Sequence, residues 1–163
     1  MYEVGEYIVH PGQGVCRVDE VVDDPQPSYQ LMPVGVRHPM RISFPIASES
    51  RLRPVLTHDE AMTLIGEYPS LDVVELGPNN NAMEEHFKNK IRRGSCRDSV
   101  RVAKTFRRRI AQVRANNKKP PVAYERILKQ ARERSLLELA VALDSTKEDV
   151  QQLFAQREEA ATA

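Results

Sequence analysis

The 163-residue chain contains no tryptophan, four phenylalanines and five tyrosines. Stacking of bases on aromatic platforms, a common way to hold single-stranded nucleic acid, is therefore poorly provided for. Its two cysteines, Cys16 and Cys96, lie far apart with no second pair. That argues against a disulfide framework or a cysteine-based zinc site and points to a reducing cytoplasm. No stretch approaches the roughly 18 apolar residues of a membrane span. With 29% charged residues and a mean hydropathy of −0.52, the composition is that of a soluble globular protein, with no membrane expected as a partner. The opening residues, Met1-Tyr2-Glu3-Val4-Gly5-Glu6, have neither the basic nor the apolar region of a secretory signal. His10, His38, His58 and His86 are scattered with no His-x-x-x-His pair, and neither a Gly-rich phosphate loop nor a G-x-S-x-G elbow is present. No catalytic residue, metal site or cofactor is expected.

What is present is charge, unevenly placed. The net +1 of the whole chain divides into −7 over residues 1–81, from five Lys/Arg against twelve Asp/Glu. Residues 82–135 carry +12, seventeen against five, and residues 136–163 carry −4, two against six. Such asymmetry implies that different parts of the chain meet different partners.

The first 55 residues read as short strands. Tyr7-Ile8-Val9 and Val15-Cys16-Arg17-Val18 flank a turn punctuated by Pro11, Gly12 and Gly14, and Val21-Val22 extends the second strand. Tyr29 to Met32 and Met40 to Phe44 complete the set, the last alternating apolar and polar as a strand with one wet face does. The expected fold is α+β: a small Tudor/SH3-like β-barrel domain followed by a compact all-α domain.

The helical part opens at Thr57-His58-Asp59-Glu60, which fits a capping box, and this first helix reaches Gly66. Leu76-Gly77-Pro78-Asn79-Asn80-Asn81 is the best linker and coincides with the change of charge sign. Further helices are expected over 82–93, stopping at Gly94, over 97–115, and from Pro120-Pro121 to Leu143. Ser145-Thr146-Lys147-Glu148 is a second capping-box match and opens a last helix to Glu158. The expected division is 1–56 as the β-rich domain, 57–81 as connecting helix and linker, and 82–163 as the basic helical domain.

In the 97–115 helix, Ala103, Phe106, Ile110 and Val113 share one apolar face, while Arg97, Arg101, Lys104 and Arg108 follow the same spacing on another. A solvated charged face is the plain reading. Asp98 is the helix's only acid, however, so the cations repel one another unless a polyanion meets them. Lys88, Lys90, Arg92 and Arg93 in the preceding helix, and Arg126, Lys129, Arg132 and Arg134 in the following one, continue the theme. The chemistry favours phosphate contact over base readout.

Val4-Gly5-Glu6-Tyr7-Ile8-Val9-His10-Pro11-Gly12-Gln13-Gly14-Val15-Cys16-Arg17-Val18 resembles the start of the CarD/CdnL family of bacterial RNA-polymerase-binding regulators. Met40 to Pro45 with Leu52-Arg53-Pro54 is similar to that family's last strand and exit, and Ile127 to Arg132 with Leu137 to Ala140 is similar to its helical part. The resemblance implies a Tudor-like domain docking on the polymerase β subunit through Met40, Arg41, Ile42, Ser43 and Phe44. It implies a helical domain touching promoter double-stranded DNA at the upstream edge of the bubble and stabilising the open complex, in a cytoplasmic, nucleoid-associated monomer. The residues expected at DNA are Met83, His86, Lys88, Lys90, Arg92, Arg93, Arg97, Arg101, Arg126 and Lys129. The family commonly has a Trp, as a fork wedge, where Met83 stands; Met83 is either an apolar wedge or plain helix packing. Glu84 and Glu85 stand where the family usually has basic residues, and Ser43 where some members have Arg.

A competing reading is a helix-turn-helix operator reader over Leu139 to Val150, acting without polymerase docking. Its recognition helix would begin Lys147-Glu148-Asp149 within an acidic segment, where phosphates are repelled.

Overall fold

The computed structural model describes residues 1–76 and 80–162. The chain divides into two compact units, Met1–Thr57 and His58–Ala163. Gly77, Pro78 and Asn79 of the expected linker lie outside the described residues.

The N-terminal unit is a five-stranded antiparallel sheet: β1 (Tyr7–His10), β2 (Gly14–Val22), β3 (Ser28–Pro33), β4 (Ile42–Pro45) and β5 (Arg53–Pro54), in the order β4-β3-β2-β1-β5. The β1–β2 turn is held by His10, whose Nδ1 accepts from the amides of Gly12 (3.0 Å) and Gln13 (3.1 Å). Gly14, at φ +78°, takes a backbone conformation that side-chain-bearing residues rarely adopt. Period-two alternation puts Ile8, Cys16, Val18, Leu31 and Phe44 on one face, where they form a core with Tyr29 and Leu52. Tyr29 is fully buried, and its hydroxyl donates to Glu49 Oε2 (2.6 Å) while accepting from the Tyr2 amide (3.0 Å). Burial, reinforced by Glu49, raises its pKa.

One strand is extended as expected, and one begins later than expected. β2 runs unbroken to Val22 through a bulge between Val18 and Glu20, which lets a nine-residue strand bend. β4 begins only at Ile42: Met40, 81% exposed, and Arg41 belong to the connection from β3, since the ladder with β3 starts at Leu31↔Ile42.

The C-terminal unit comprises α1 (His58–Glu67), a 3-10 turn (Tyr68–Ser70), α2 (Asn80–Arg93), α3 (Cys96–Ala115), α4 (Val122–Ala142) and α5 (Lys147–Thr162). The expected apolar stripe of α3 is present: Ala103, Phe106 and Ile110 are buried, with Val113 half-buried. Ala103, Phe106 and Ile110 pack with Met83, Phe87 and Ile91 of α2 and with Tyr124, Ile127 and Ala131 of α4. Phe87, Phe106 and Tyr124 make consecutive edge-to-face contacts, with ring centres 5.1 and 5.4 Å apart. Gly94 separates α2 from α3 because a side chain there would collide with the Lys90 carbonyl and the Asp98 carboxylate. Ser95 and Asp98 then form a capping box. At the start of α5 the capping register is one residue later than the sequence suggests: Thr146 Oγ1 accepts from the Asp149 amide (3.1 Å), and Ser145 Oγ donates to Asp149 (2.9 Å). α1 packs against α4 and α5, within the helical unit.

Candidate protein-docking edge and nucleic-acid interface

β4 is a terminal strand of its sheet, with β3 on one side only. The Ile46 amide donates to the Pro27 carbonyl (3.0 Å), continuing the register of Phe44↔Tyr29 and Ile42↔Leu31. In an antiparallel ladder such alternate pairs exchange the hydrogen bonds. Ile42 and Phe44 therefore turn their backbone groups toward β3, and Ser43 turns its amide and carbonyl to the open edge. The Phe44 side chain is buried in the core, facing His10 edge-on at 5.4 Å, while Ser43 is exposed and its Oγ accepts from Gln30 Nε2 (3.2 Å). Arg41 reaches across β3 to Asp19 (3.8 Å) and Glu20 (3.6 Å) of β2. Asp19 also receives Arg17 Nε at 2.6 Å, and this hydrogen bond holds its carboxyl below the usual range. Arg17, Asp19, Glu20 and Arg41 thus form one charge network beside the edge. Sequence reading identified Arg41 alone among these, because cross-strand register is not visible in a linear chain.

In the helical unit, the hydrogen bonds of two arginines define how α2 and α4 lie. Arg126 grips Glu84 through Nε (3.0 Å) and Nη2 (3.2 Å), and Arg134 Nη2 donates to the Arg92 carbonyl (3.2 Å). Both join positions 42 residues apart, so the two helices run parallel, with Lys88 near the level of Gln130 and Lys129. The Arg126 hydrogen bond, with a further contribution from Lys88, lowers the Glu84 pKa. Arg92, Arg93, Lys129 and His86 are exposed, and Lys88 and Lys90 are half-buried. His86 faces the ring of Phe87 at 5.0 Å.

The other expected cations are engaged within the unit. Arg97 pairs with Glu67, and Arg101 Nε donates to the Asp72 carbonyl (3.1 Å). Lys104 leaves the expected charged row altogether. It is 2% exposed, and its Nζ donates to the carbonyls of Tyr68 (2.6 Å), Pro69 (3.1 Å) and Leu71 (2.7 Å). The reason is that α3 is buried around most of its circumference from Ser99 to Phe106, not along one stripe. Of the two readings of Met83, helix packing is the one its burial fits. At 4% exposure it is packed against Phe87 and its neighbours, so it is a core residue and not a surface wedge.

The turn between α4 and α5 serves packing: Leu139, Ala140 and Val150 are buried, and the first turn of α5 presents Glu148 and Asp149. Among the described residues no group of His, Cys, Asp and Glu could hold a metal ion, and no helix is long and apolar enough to cross a membrane.

Comparison with known proteins gives one family match, to the CarD-like/TRCF RID domain over residues 2–56. No curated protein matches the chain. The matched span holds all five strands and the β4 edge. Residues 2–56 of this chain match the CarD-like/TRCF RID domain, a module of RNA polymerase interaction and transcription regulation.

Proposed function

We propose that the chain docks on the β subunit of RNA polymerase by adding a polymerase strand to the open edge of β4, and that its basic helical unit contacts promoter double-stranded DNA at the upstream edge of the bubble to stabilise the open complex. The observation that supports this most is the terminal position of β4, with the backbone groups of Ser43 unpaired by β3. An exposed edge pairs through main-chain hydrogen bonds, and side chains such as Arg41 and Met40 supply selectivity. Once the chain is tethered to polymerase, a modest DNA affinity suffices because the effective concentration is high. The chain acts as a monomer in the cytoplasm, at the nucleoid.

The test is recovery of core polymerase on the immobilised chain. Arg41→Glu places a third carboxylate beside Asp19 and Glu20 and abolishes recovery. Ser43→Pro removes the outward amide, a change a terminal strand tolerates, and does the same while the sheet stays folded. Undiminished recovery by both variants refutes the edge assignment. Open-complex lifetime with and without the chain tests the second half of the reading, and an unchanged lifetime refutes it.

A further inference from the structure

Glu84 is not an idle surface carboxylate. Its side chain is 20% exposed, and its backbone is anchored by the neighbouring core residue Met83. It meets Arg126 through two nearly equal hydrogen bonds, 3.0 and 3.2 Å, to Nε and Nη2. That edge of a guanidinium is the one that binds a phosphate in the same two-pronged way. Lys88, one turn along α2, adds to Arg126 in favouring the charged form of this carboxylate. One carboxylate therefore offsets two cations in the row between α2 and α4.

We infer that Glu84 is an internal phosphate mimic: it occupies Arg126 within the chain and keeps the α2–α4 seam partly closed to polyanions. This deepens, and rests on, the DNA-contacting reading above. DNA phosphate must displace Glu84 to take the Nε–Nη2 edge of Arg126, so Glu84 lowers both the affinity and the number of phosphates engaged in this two-pronged way.

The experiment measures duplex affinity across a monovalent salt series for the full chain and for Glu84→Gln, Arg126→Ala, their double variant and Glu85→Gln. Each phosphate newly neutralised steepens the log–log salt slope by about 0.9, which at 0.1 M salt is roughly 8-fold in affinity. Glu84→Gln therefore gains roughly 8-fold and about 0.9 in slope. Arg126→Ala in the wild-type background changes affinity by less than about twofold, because an arginine already neutralised releases few counterions. In the Glu84→Gln background the same change erases the gain. Glu85→Gln, removing an equal charge from an exposed position on the same turn, gains less than half as much.

An unchanged Glu84→Gln affinity, an equal gain from Glu85→Gln, or an Arg126→Ala effect of the same size in both backgrounds overturns the inference. Retention on a heparin column separates its fate from that of the DNA reading. If Glu84→Gln elutes at higher salt than the wild type, and Arg126→Ala reverses this, the mimic stands even where duplex binding is absent and the promoter contact falls. If neither duplex binding nor heparin retention responds, the mimic falls.

Discussion

Replacing Lys104 by methionine removes a buried cation without emptying the space it fills. All three ammonium hydrogens are used, on the carbonyls of Tyr68, Pro69 and Leu71. Hydrogen bonds from a charged donor contribute about 1.5–3 kcal/mol each. Burying the ammonium costs several kcal/mol in the opposite direction. The methionine variant avoids that cost but leaves three carbonyls without their donor, so the net loss is about 3 kcal/mol. With a urea m-value of about 1.5 kcal/mol/M, the midpoint falls by about 2 M. Because every long helix lies in residues 58–162, helical circular dichroism in urea reports on this unit directly. Arg108→Met, one turn further along α3 and exposed, changes stability by less than about 0.5 kcal/mol. A Lys104→Met midpoint equal to that of Arg108→Met refutes the assignment of a holding role to Lys104.

The pH dependence gives a second check on the same residue. Burial, and then the nearby Arg108, lower the Lys104 pKa below 10.5. Between its folded-state pKa and 10.5 the unfolded chain binds more protons at this site, so its contribution to stability rises with pH through that window. Lys104→Met removes that rise. An identical stability slope in wild type and variant on the alkaline side contradicts it.

Three further outcomes are expected. Met83→Ala opens a hole beside Phe87 and costs about 2–4 kcal/mol, and Met83→Trp overfills the site at about 1–3 kcal/mol; a wild-type urea midpoint in either variant shows that Met83 is not packed in the core. Ser95→Ala removes the side-chain acceptor of the α3 capping box and costs about 1 kcal/mol, detectable as a lowered melting temperature and contradicted by an unchanged one. The Glu84 carboxyl, followed by NMR in acid, titrates below 4.5 because Arg126 favours its charged form. The pair's stabilisation is therefore present above the ordinary carboxylate pKa and lost as pH falls through the folded-state value. Arg126→Ala returns the midpoint toward 4.5, and no movement would show that the hydrogen bonds are not what lowers it.

Patterns repeating along the chain translated directly into structure. β-Prone runs on either side of a turn placed strands at Tyr7 and Val15, and the 3-4 spacing of Ala103, Phe106 and Ile110 gave the buried stripe of α3, because burial of one helix face requires that period. The Pro11–Gly14 turn and the stop at Gly94 were equally visible, since each rests on a local backbone requirement. The charge division along the chain needed only counting.

Tertiary structure decided which cations are engaged within the chain. Lys104, Arg97, Arg101 and Arg126 share a composition with Arg92, Arg93 and Lys129, but the first four are engaged by Tyr68, Glu67, Asp72 and Glu84, which lie 29 or more residues away. No local rule specifies such partners, because a guanidinium or ammonium satisfies its hydrogen bonds equally well with water or with a distant carbonyl until packing removes the water. The same holds for Met83, apolar enough for a wedge or a core until α3 and α4 close over it, and for β4, whose open edge exists only because β3 pairs one of its two sides.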